Sequence, residues 1–423
     1  MSAARPVHLL AVAYGGGHMA MVLPVLRALR TRLPQLRVTL LALTTAARAA
    51  RSAGESPLGY ADLLDLLDET ERAQALALGR ALLPGNSHPD VAEAESVAYL
   101  GVNAWDLQQQ LGTEAAQALL AARGRQGFDP LHFFRRVLAH LQPDLLLATN
   151  SPRSEQAAID AATEAGVPSL ALLDLFALPG DAFAARTRYP SRVCVLSDSV
   201  RDNLVAAGWP PARIAVTGNP AFDAINTAQT RAQGAALRQA LGGDTHRLVL
   251  LALQPEPTAH PAAPGRVGDP TLPDRLLQAA IALVRQHSDW RLIVRPHPSQ
   301  PVPALPDDAQ LRLSPPTEPL HPLLHAVDAV VTGTSTVALE AHLAGRRVLQ
   351  LLDSIAAPAM PYRALGVADA ACPLAELAQA LPALLAQPMP ARSQTEGPTA
   401  ADRTGEQALA LLGAHPSSTL LTQ

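Results

Sequence analysis

A glycine and three hydroxyl side chains, Gly333, Thr334, Ser335 and Thr336, directly follow an apolar segment. The apolar segment predicts a buried strand, and the residues after the glycine predict a helix from residue 334. Hydroxyls and backbone N–H groups at a helix start can donate hydrogen bonds to phosphate oxygens without a cation. Glu340 lies four residues after Thr336, on the same helical face, where its carboxylate could accept hydrogen bonds from a ribose diol. The segment predicts a nucleotide site; the alternative is a capped helix with a surface glutamate.

A glycine-rich loop, Gly15, Gly16 and Gly17, follows the first apolar segment, and His18 comes next, ahead of a helical run over 19–33. Glycines let the backbone approach a ligand closely and expose N–H groups at a helix start. We expect His18 at the carboxyl end of a sheet, where open α/β folds bind ligands. It is a candidate general base or a contact to a leaving phosphate. A tight turn that binds no ligand is the alternative.

Two shorter motifs are further candidates. Arg295 and His297 end another apolar segment, and prolines on both sides of the histidine fix its backbone, so we expect this histidine to contact a phosphate or the leaving group. A solvated turn is the alternative. Gly218, Asn219 and Pro220 follow a further apolar segment and are candidate donor-binding residues, and ordinary turn chemistry explains them as well as a ligand site does.

The charged residues exclude several kinds of site. All 33 cationic side chains are arginine, which excludes a Schiff-base lysine and a lysine phosphate clamp. The formal net charge of −4 and the 17% of charged residues do not indicate a nucleic-acid partner. No carboxylates cluster with the spacing of metal ligands. We therefore expect neither a metal nor a cofactor.

The cysteines and the N-terminus favour one cellular location. Cys194 and Cys372 are far apart, which predicts neither a disulfide framework nor a zinc site and is typical of a reducing compartment. The first apolar run, of about eight residues, is too short to span a membrane. We expect a cytoplasmic protein with at most peripheral contact to the inner face of the membrane.

Continuous apolar runs alternate with helical stretches, as is typical of parallel strands buried on both faces. The predicted strands fall into two sets: His8–Ala13, Arg37–Leu43, Asp144–Thr149, Pro168–Asp174, Arg192–Leu196 and Arg213–Thr217, then Arg247–Leu253, Trp290–Arg295, Ala329–Thr332 and Arg347–Leu351. The pattern predicts an α/β fold of two Rossmann-like, doubly wound domains facing a cleft. We place the N-terminal domain at 1–217, the C-terminal domain at 218–395 and a tail at 396–423 whose helix could return to the N-terminal domain.

In these motifs the chain resembles the two-domain GT-B superfamily of nucleotide-sugar enzymes. The Gly15–His18 loop looks like the first loop of the N-acetylglucosaminyltransferases that act on undecaprenyl-pyrophosphoryl-muramoyl-pentapeptide, where it faces the acceptor and the leaving phosphates. The Val216–Pro220 turn is similar to their interdomain junction and to that of the UDP-N-acetylglucosamine 2-epimerases. The Gly333–Glu340 segment looks like their phosphate loop and ribose-binding glutamate. Arg295–Ser299 resembles the His-Pro motif of capsule sialyltransferases and poly(glycerol phosphate) transferases.

Three segments bear on the choice within that superfamily. Gln254–Pro257 stands where the relatives often have a glycine- and serine-rich phosphate loop. The arginine- and lysine-bearing first loop of the epimerases is absent from Tyr14–His18. Ser151–Glu155 vaguely resembles the Gly-Asp-Arg-x-Glu segment of the epimerases.

The resemblance implies a metal-independent glycosyltransferase that moves a sugar from a nucleotide-sugar, UDP-linked in the named relatives, to a glycan or lipid-linked acceptor of the cell envelope. One alternative is a UDP-N-acetylglucosamine 2-epimerase, with Glu155 and Asp174 as the carboxylates near the sugar. Another is a non-catalytic nucleotide-sugar-binding or polymer-assembly protein. The sequence leaves the sugar, the acceptor, the stereochemistry and the oligomeric state open.

Overall fold

The computed structural model describes residues 5–174, 176–259, 265–297, 300–315, 317–390 and 397–414. The chain divides into two compact units, Met1–Ala221 with Gly397–Gln423, and Phe222–Glu396. The first unit therefore extends four residues past the predicted boundary at residue 217, and it includes Gly218, Asn219 and Pro220. Within the described residues no helix is long and apolar enough to cross a membrane.

The first unit is built on a parallel sheet of six described strands with the order β2-β1-β3-β4-β5-β6. These are β1 (His8–Tyr14), β2 (Arg37–Leu43), β3 (Leu145–Thr149), β4 (Ser169–Leu172), β5 (Arg192–Val195) and β6 (Ile214–Val216). In the register of the sheet, Ala11 lies opposite Leu40 on one side and Leu147 on the other. The chain builds outward in opposite directions from β1 and β3, so the topological switch point lies between these two strands.

The second unit has its own parallel sheet, with the order β12-β11-β10-β7-β8-β9 among the described strands. They are β7 (Arg247–Ala252), β8 (Trp290–Arg295), β9 (Leu311–Leu313), β10 (Ala329–Thr332), β11 (Arg347–Leu351) and β12 (Ala370–Cys372). The switch point of this sheet lies between β7 and β10.

Helices cover the sheets. They are α1 (Gly16–Arg32), α2 (Thr45–Ser52), α3 (Glu69–Leu82), α4 (Glu93–Leu111), α5 (Thr113–Arg123), α6 (Leu131–Leu141), α7 (Ser154–Ala165), α8 (Asp198–Ala206), α9 (Ala228–Ala240), α10 (Leu272–Val284), α11 (Leu320–Ala326), α12 (Val337–Leu343), α13 (Leu377–Ala386) and α14 (Ala400–Ala414). The α14 helix belongs to the first unit, because Ala408 and Leu412 share a buried core cluster with Leu26 and Leu29 of α1.

Burial explains which strands the sequence predicts. The residues Leu9, Leu10, Ala11 and Val12 of β1 are each at most 1% exposed, as expected for a strand covered on both faces. The two-domain α/β prediction is confirmed. The edge strands β9 and β12 were not predicted, because β9 is half-buried throughout, β12 is half-buried at two of its three residues, and neither has a long continuous apolar run.

A close helix crossing shapes the inserted helical region of the first unit. A Cβ added to Gly79 of α3 would lie 2.0 Å from the carbonyl oxygen of Val97, and one added to Gly101 of α4 would lie 2.0 Å from that of Ala75. The backbones therefore approach to a distance that only glycine permits at these two positions. Residues 96–107 of α4 are buried as a result.

We expect Gly79→Ala to lower the free energy of unfolding by about 1–3 kcal/mol, because the new methyl group forces the two backbones apart. Alanine has the higher helix propensity, so the intrinsic effect has the opposite sign. Urea unfolding measures the difference, with Ala77→Ser on the exposed face of α3 as the control, expected within about 0.5 kcal/mol of the wild type. A Gly79→Ala protein as stable as the wild type would contradict the close crossing.

Candidate functional site

The first candidate site lies at the switch point of the first sheet, where the loop after β1 leads into α1. Gly15 has a φ of 88°, which favours glycine, and its N–H donates to the carbonyl of Leu43. A Cβ on Gly16 or Gly17 would meet nothing within 4 Å. The turn therefore explains Gly15 but neither of the following glycines, beside which the space is open.

His18 lies in the first turn of α1 and contacts groups that follow β3 and β4. Its Nδ1 is 3.0 Å from the Thr149 hydroxyl, and that hydroxyl donates to Glu155 Oε1 at 3.1 Å. Because the Thr149 proton is used by Glu155, its oxygen accepts from Nδ1–H of His18. The Nε2 atom then faces Asp174 Oδ2 at 3.4 Å. We call His18, Thr149, Glu155 and Asp174 the His18 cluster.

The two carboxylates change the acidity of His18. Burial alone would lower its pKa, but the hydrogen bonds and negative charges of Asp174 and Glu155 outweigh burial and raise the pKa to about 9. The side chain of Glu155 is fully buried, whereas those of His18 and Asp174 are 19% and 30% exposed. Solvent therefore reaches the side chains of His18 and Asp174 but not that of Glu155.

Two asparagines position Asp174. Asn150 donates from Nδ2 to Asp174 Oδ1 at 2.9 Å, and Asn219 donates to the Asp174 carbonyl at 3.3 Å. Gly218 has a φ of 80°, and a Cβ there would lie 3.1 Å from the Arg403 guanidinium of α14. Pro220 is buried at the start of a short 3₁₀ turn. The structure thus places the predicted donor-binding residues Gly218, Asn219 and Pro220 in the first unit, next to α14 and Asp174.

The second candidate site lies at the switch point of the second sheet. Gln254, just after β7, accepts the N–H of Thr334 at 3.2 Å and donates to the Thr334 hydroxyl. The Ser335 hydroxyl accepts the N–H of Val337 at 3.3 Å, and Thr336 is exposed. The helix α12 begins at Val337, three residues later than predicted, because Gln254 and the Ser335 side chain hold residues 334–336 as a turn. We call Gly333–Thr336 the hydroxyl turn.

Other elements fix this turn and Glu340. Tyr362 donates its hydroxyl to the carbonyls of Thr334 and Ser335 at 3.2 and 3.0 Å. Burial and the charge of Glu340 raise the pKa of Tyr362, so the hydroxyl stays a donor. Glu340 Oε2 is 3.0 Å from His321 Nε2. The predicted ribose-binding carboxylate therefore has one oxygen paired within the second unit.

Arg295 and His297 follow β8. Arg295 donates from Nη1 to the Ser314 hydroxyl and to the Glu318 carbonyl, both at 3.0 Å. Burial lowers the pKa of Arg295, and the charges of Glu318 and Glu340 oppose it, which places the guanidinium near Glu340. His297 is exposed on a turn in which its N–H donates to Gln300 Oε1 at 3.4 Å. Residues 298 and 299 of the predicted motif lie outside the described residues.

Sequence reasoning missed five residues of these sites: Thr149, Asn150, Gln254, His321 and Tyr362. Thr149 ends β3, Asn150 follows it, and Gln254 lies two residues after β7, so their position at the carboxyl ends of switch-point strands was an available signal. His321 and Tyr362 come from other elements and carry no local signal. Among the described residues, no group of three or more histidine, cysteine, aspartate or glutamate side chains could hold a metal ion.

Comparison with solved structures finds similar folds. The UDP-GlcNAc 2-epimerase of Neisseria meningitidis, bound to UDP-GlcNAc, matches with a TM-score of 0.55 and 12% identity over 97% of this chain and 100% of that one. The UDP-GlcNAc 2-epimerase of Methanocaldococcus jannaschii matches with a TM-score of 0.56 and 13% identity over 96% and 99%. A glycotransferase of kitacinnamycin matches with a TM-score of 0.53 and 14% identity over 97% and 96%.

The chain has the GT-B fold. The predicted GT-B fold is thereby confirmed. Because the similar structures include both epimerases and a glycotransferase, the GT-B fold does not distinguish these activities. Neither a scan against protein-family models nor a search of curated proteins gives a match.

We expect the imidazole of His18 to titrate near pH 9 in an NMR experiment, and Glu155→Gln to lower that midpoint because one stabilising charge is lost. The pKa in the fold exceeds the ordinary value of 6.5, so protonated His18 stabilises the protein below pH 6.5, and this contribution disappears as the pH rises to about 9. His18→Gln assigns the signal by its loss. A midpoint at or below 6.5 would show that the carboxylates do not act on the imidazole.

Proposed function

We propose that the protein transfers a sugar from a UDP-sugar to a hydroxyl group of a glycan or lipid-linked acceptor of the cell envelope. The observation that supports this most is the orientation of His18, whose Nδ1–H is held by Thr149 while its Nε2 faces the partly exposed carboxylate of Asp174. One histidine nitrogen, oriented and backed by a buried carboxylate, is what a general base for an alcohol requires.

In the proposed reaction, His18 Nε2 takes the proton of the acceptor hydroxyl as the acceptor oxygen bonds to the anomeric carbon of the sugar. The bond between that carbon and the diphosphate oxygen breaks, and its electron pair leaves with UDP. Glu155 stabilises the imidazolium through Thr149 and by its charge at 3.6 Å from Nδ1. The negative charges that raise the pKa of His18 also strengthen it as a base.

The hydroxyl turn and Glu340 would bind the nucleotide in the second unit. The exposed Thr336 hydroxyl and the amides that open α12 can donate to phosphate oxygens without a lysine. A carboxylate has about four acceptor positions, so the bond between Glu340 Oε2 and His321 leaves room for a ribose diol. The contacts of Gln254 and Tyr362 hold this turn in place before any ligand binds.

An epimerase is the second candidate, and a specific observation favours it. Glu155 and Asp174, the carboxylates named for that reaction, lie on either side of His18, within 3.6 and 3.4 Å. Three titratable groups together could remove and return a proton at a sugar carbon. The solved structures of similar fold include 2-epimerases, one of them bound to UDP-GlcNAc.

Incubation with radiolabelled UDP-GlcNAc, with and without a lipid and glycan fraction, distinguishes the two activities. We expect label to pass to the acceptor fraction, and kcat/KM to rise about tenfold per pH unit towards pH 9, because only neutral His18 accepts a proton. Asp174→Asn removes the charge beside Nε2 and should shift this rise to lower pH. Asp198→Asn, on an exposed carboxylate of α8, is the matched control.

An epimerase gives a different result in the same experiment. The label would appear in a 2-epimer without any acceptor, deuterium from D₂O would enter the sugar, and Asp174→Asn would abolish the reaction instead of shifting its pH profile. Binding without turnover of any kind would support the non-catalytic alternative and contradict the proposed transfer.

Glu340→Ala should weaken UDP binding by about 1.5–3 kcal/mol, the usual loss for a hydrogen bond to a charged group. Calorimetry with UDP and 2′-deoxy-UDP tests the role directly, because the variant should no longer discriminate between the two ligands. Glu376→Gln, an exposed carboxylate of the same unit, is the control. A Glu340→Ala protein that binds UDP within about 0.5 kcal/mol of the wild type would exclude the ribose contact.

A further inference from the structure

Three buried polar atoms near the His18 cluster have no hydrogen-bond partner among the described residues: Tyr99 Oη, Arg153 Nε and Glu155 Oε2. Glu155 lies two residues after Arg153 in the chain. Tyr14 links two of them, with its ring 4.4 Å from the Arg153 guanidinium and 6.3 Å from the ring of Tyr99. Buried polar groups normally have partners, so a group of three without them indicates a ligand site.

The backbone of Arg153 is strained. Its φ of 147° and ψ of −108° are unusual for a side chain with a Cβ, and it lies just after β3, at the start of α7. Contacts on both sides hold this conformation: the guanidinium stacks on Tyr14, and the next residue, Ser154, is hydrogen-bonded to the buried hydroxyl of Tyr60 at 2.8 Å. Strain of this kind persists where the surroundings enforce it, commonly at ligand sites.

The guanidinium of Arg153 has no carboxylate partner, in contrast to three other arginines. Arg186 donates to Asp160, Arg136 to Glu71 and Arg238 to Asp328. Within the described part of the chain, the guanidinium of Arg153 makes no hydrogen bond or ion pair, although Glu155 is two residues away. The guanidinium of Arg153 stacks on the ring of Tyr14, whereas the carboxylate of Glu155 lies 3.6 Å from Nδ1 of His18.

We propose that Arg153, oriented by Tyr14 and assisted by the Tyr99 hydroxyl, binds an anionic oxygen of the reacting molecule. A guanidinium matches carboxylate and phosphate oxygens, and its charge needs no proton at any working pH. Burial raises the pKa of Tyr99, so its hydroxyl remains a donor. A Cβ on Gly16 or Gly17 would meet nothing within 4 Å, so the start of α1, two residues after Tyr14, is open on that side.

The anion has two possible sources. The binding of an anion by Arg153 is independent of the proposed function, and only the statement that the anion belongs to a substrate rests on the proposed transfer. One is the diphosphate of the nucleotide-sugar. The other is a carboxylate on the acceptor. Both sources present anionic oxygens to Arg153. The contacts of Arg153 therefore do not distinguish them, and an experiment must.

Calorimetry on the full chain with inorganic pyrophosphate, and with glucuronate against glucose, tests Arg153 without requiring any turnover or any nucleotide. We expect Arg153→Gln to weaken binding of one of the two anions about tenfold or more, with Arg153→Lys intermediate because it retains the charge but loses the planar fork. Arg201→Gln, on the exposed face of α8, should leave binding unchanged. Loss of pyrophosphate binding identifies the donor as the source, and loss of glucuronate binding identifies the acceptor.

Two variants of Tyr14 test whether its ring orients the guanidinium of Arg153. Tyr14→Phe keeps the ring face and should bind the anion as the wild type does, whereas Tyr14→Leu should bind it more weakly. Circular dichroism confirms that each variant is folded. The proposal is overturned if neither anion binds the wild type, or if folded Arg153→Gln binds both with unchanged affinity. Failure of UDP to bind at the second unit would contradict the proposed function and leave this result intact.

Discussion

The site of the first unit depends on one electrostatic balance, an imidazole held between two carboxylates. A fully buried carboxylate such as Glu155 is costly unless a positive charge or donors compensate for its lost hydration. His18 and Thr149 provide that compensation, and the same contacts raise the pKa of His18 to about 9. The protonated cluster therefore stabilises the fold at the switch point. A reaction at Nε2 must either use the positive charge of His18 or begin from the neutral imidazole.

The parallel sheets explain why chemistry can be present in both units. Each sheet has a switch point where neighbouring strands send their loops in opposite directions, which leaves a crevice at the carboxyl ends. His18 and Thr149 meet at the switch point of the first sheet, and Gln254 and Thr334 meet at that of the second. In each pair the two partners are distant in sequence, so the strand order alone brings them together.

The sequence predicted the buried framework better than the contacts built on it. The strands Arg37–Leu43 and Trp290–Arg295 have the predicted bounds, because continuous apolar runs mark strands covered on both faces. The start of α12 was wrong by three residues, because Gln254, from another strand, holds Thr334 outside the helix. The partners His321 and Tyr362 depend on tertiary packing, for which no local pattern exists.

A chain without lysine must neutralise anions with arginine, with protonated histidine or with backbone dipoles, and pairing decides which arginine can do so. Arg295 belongs to a recognisable motif, yet its Nη1 already donates to Ser314 and to the Glu318 carbonyl, which gives it a role in holding the β9–α11 loop. The guanidinium of Arg153 has no hydrogen-bonded partner among the described residues and stacks on the ring of Tyr14. A motif thus indicates where a cation lies along the chain, whereas its hydrogen bonds determine whether its charge is available to a ligand. By this criterion the first unit, and not only the predicted nucleotide turn, carries the capacity to recognise an anion.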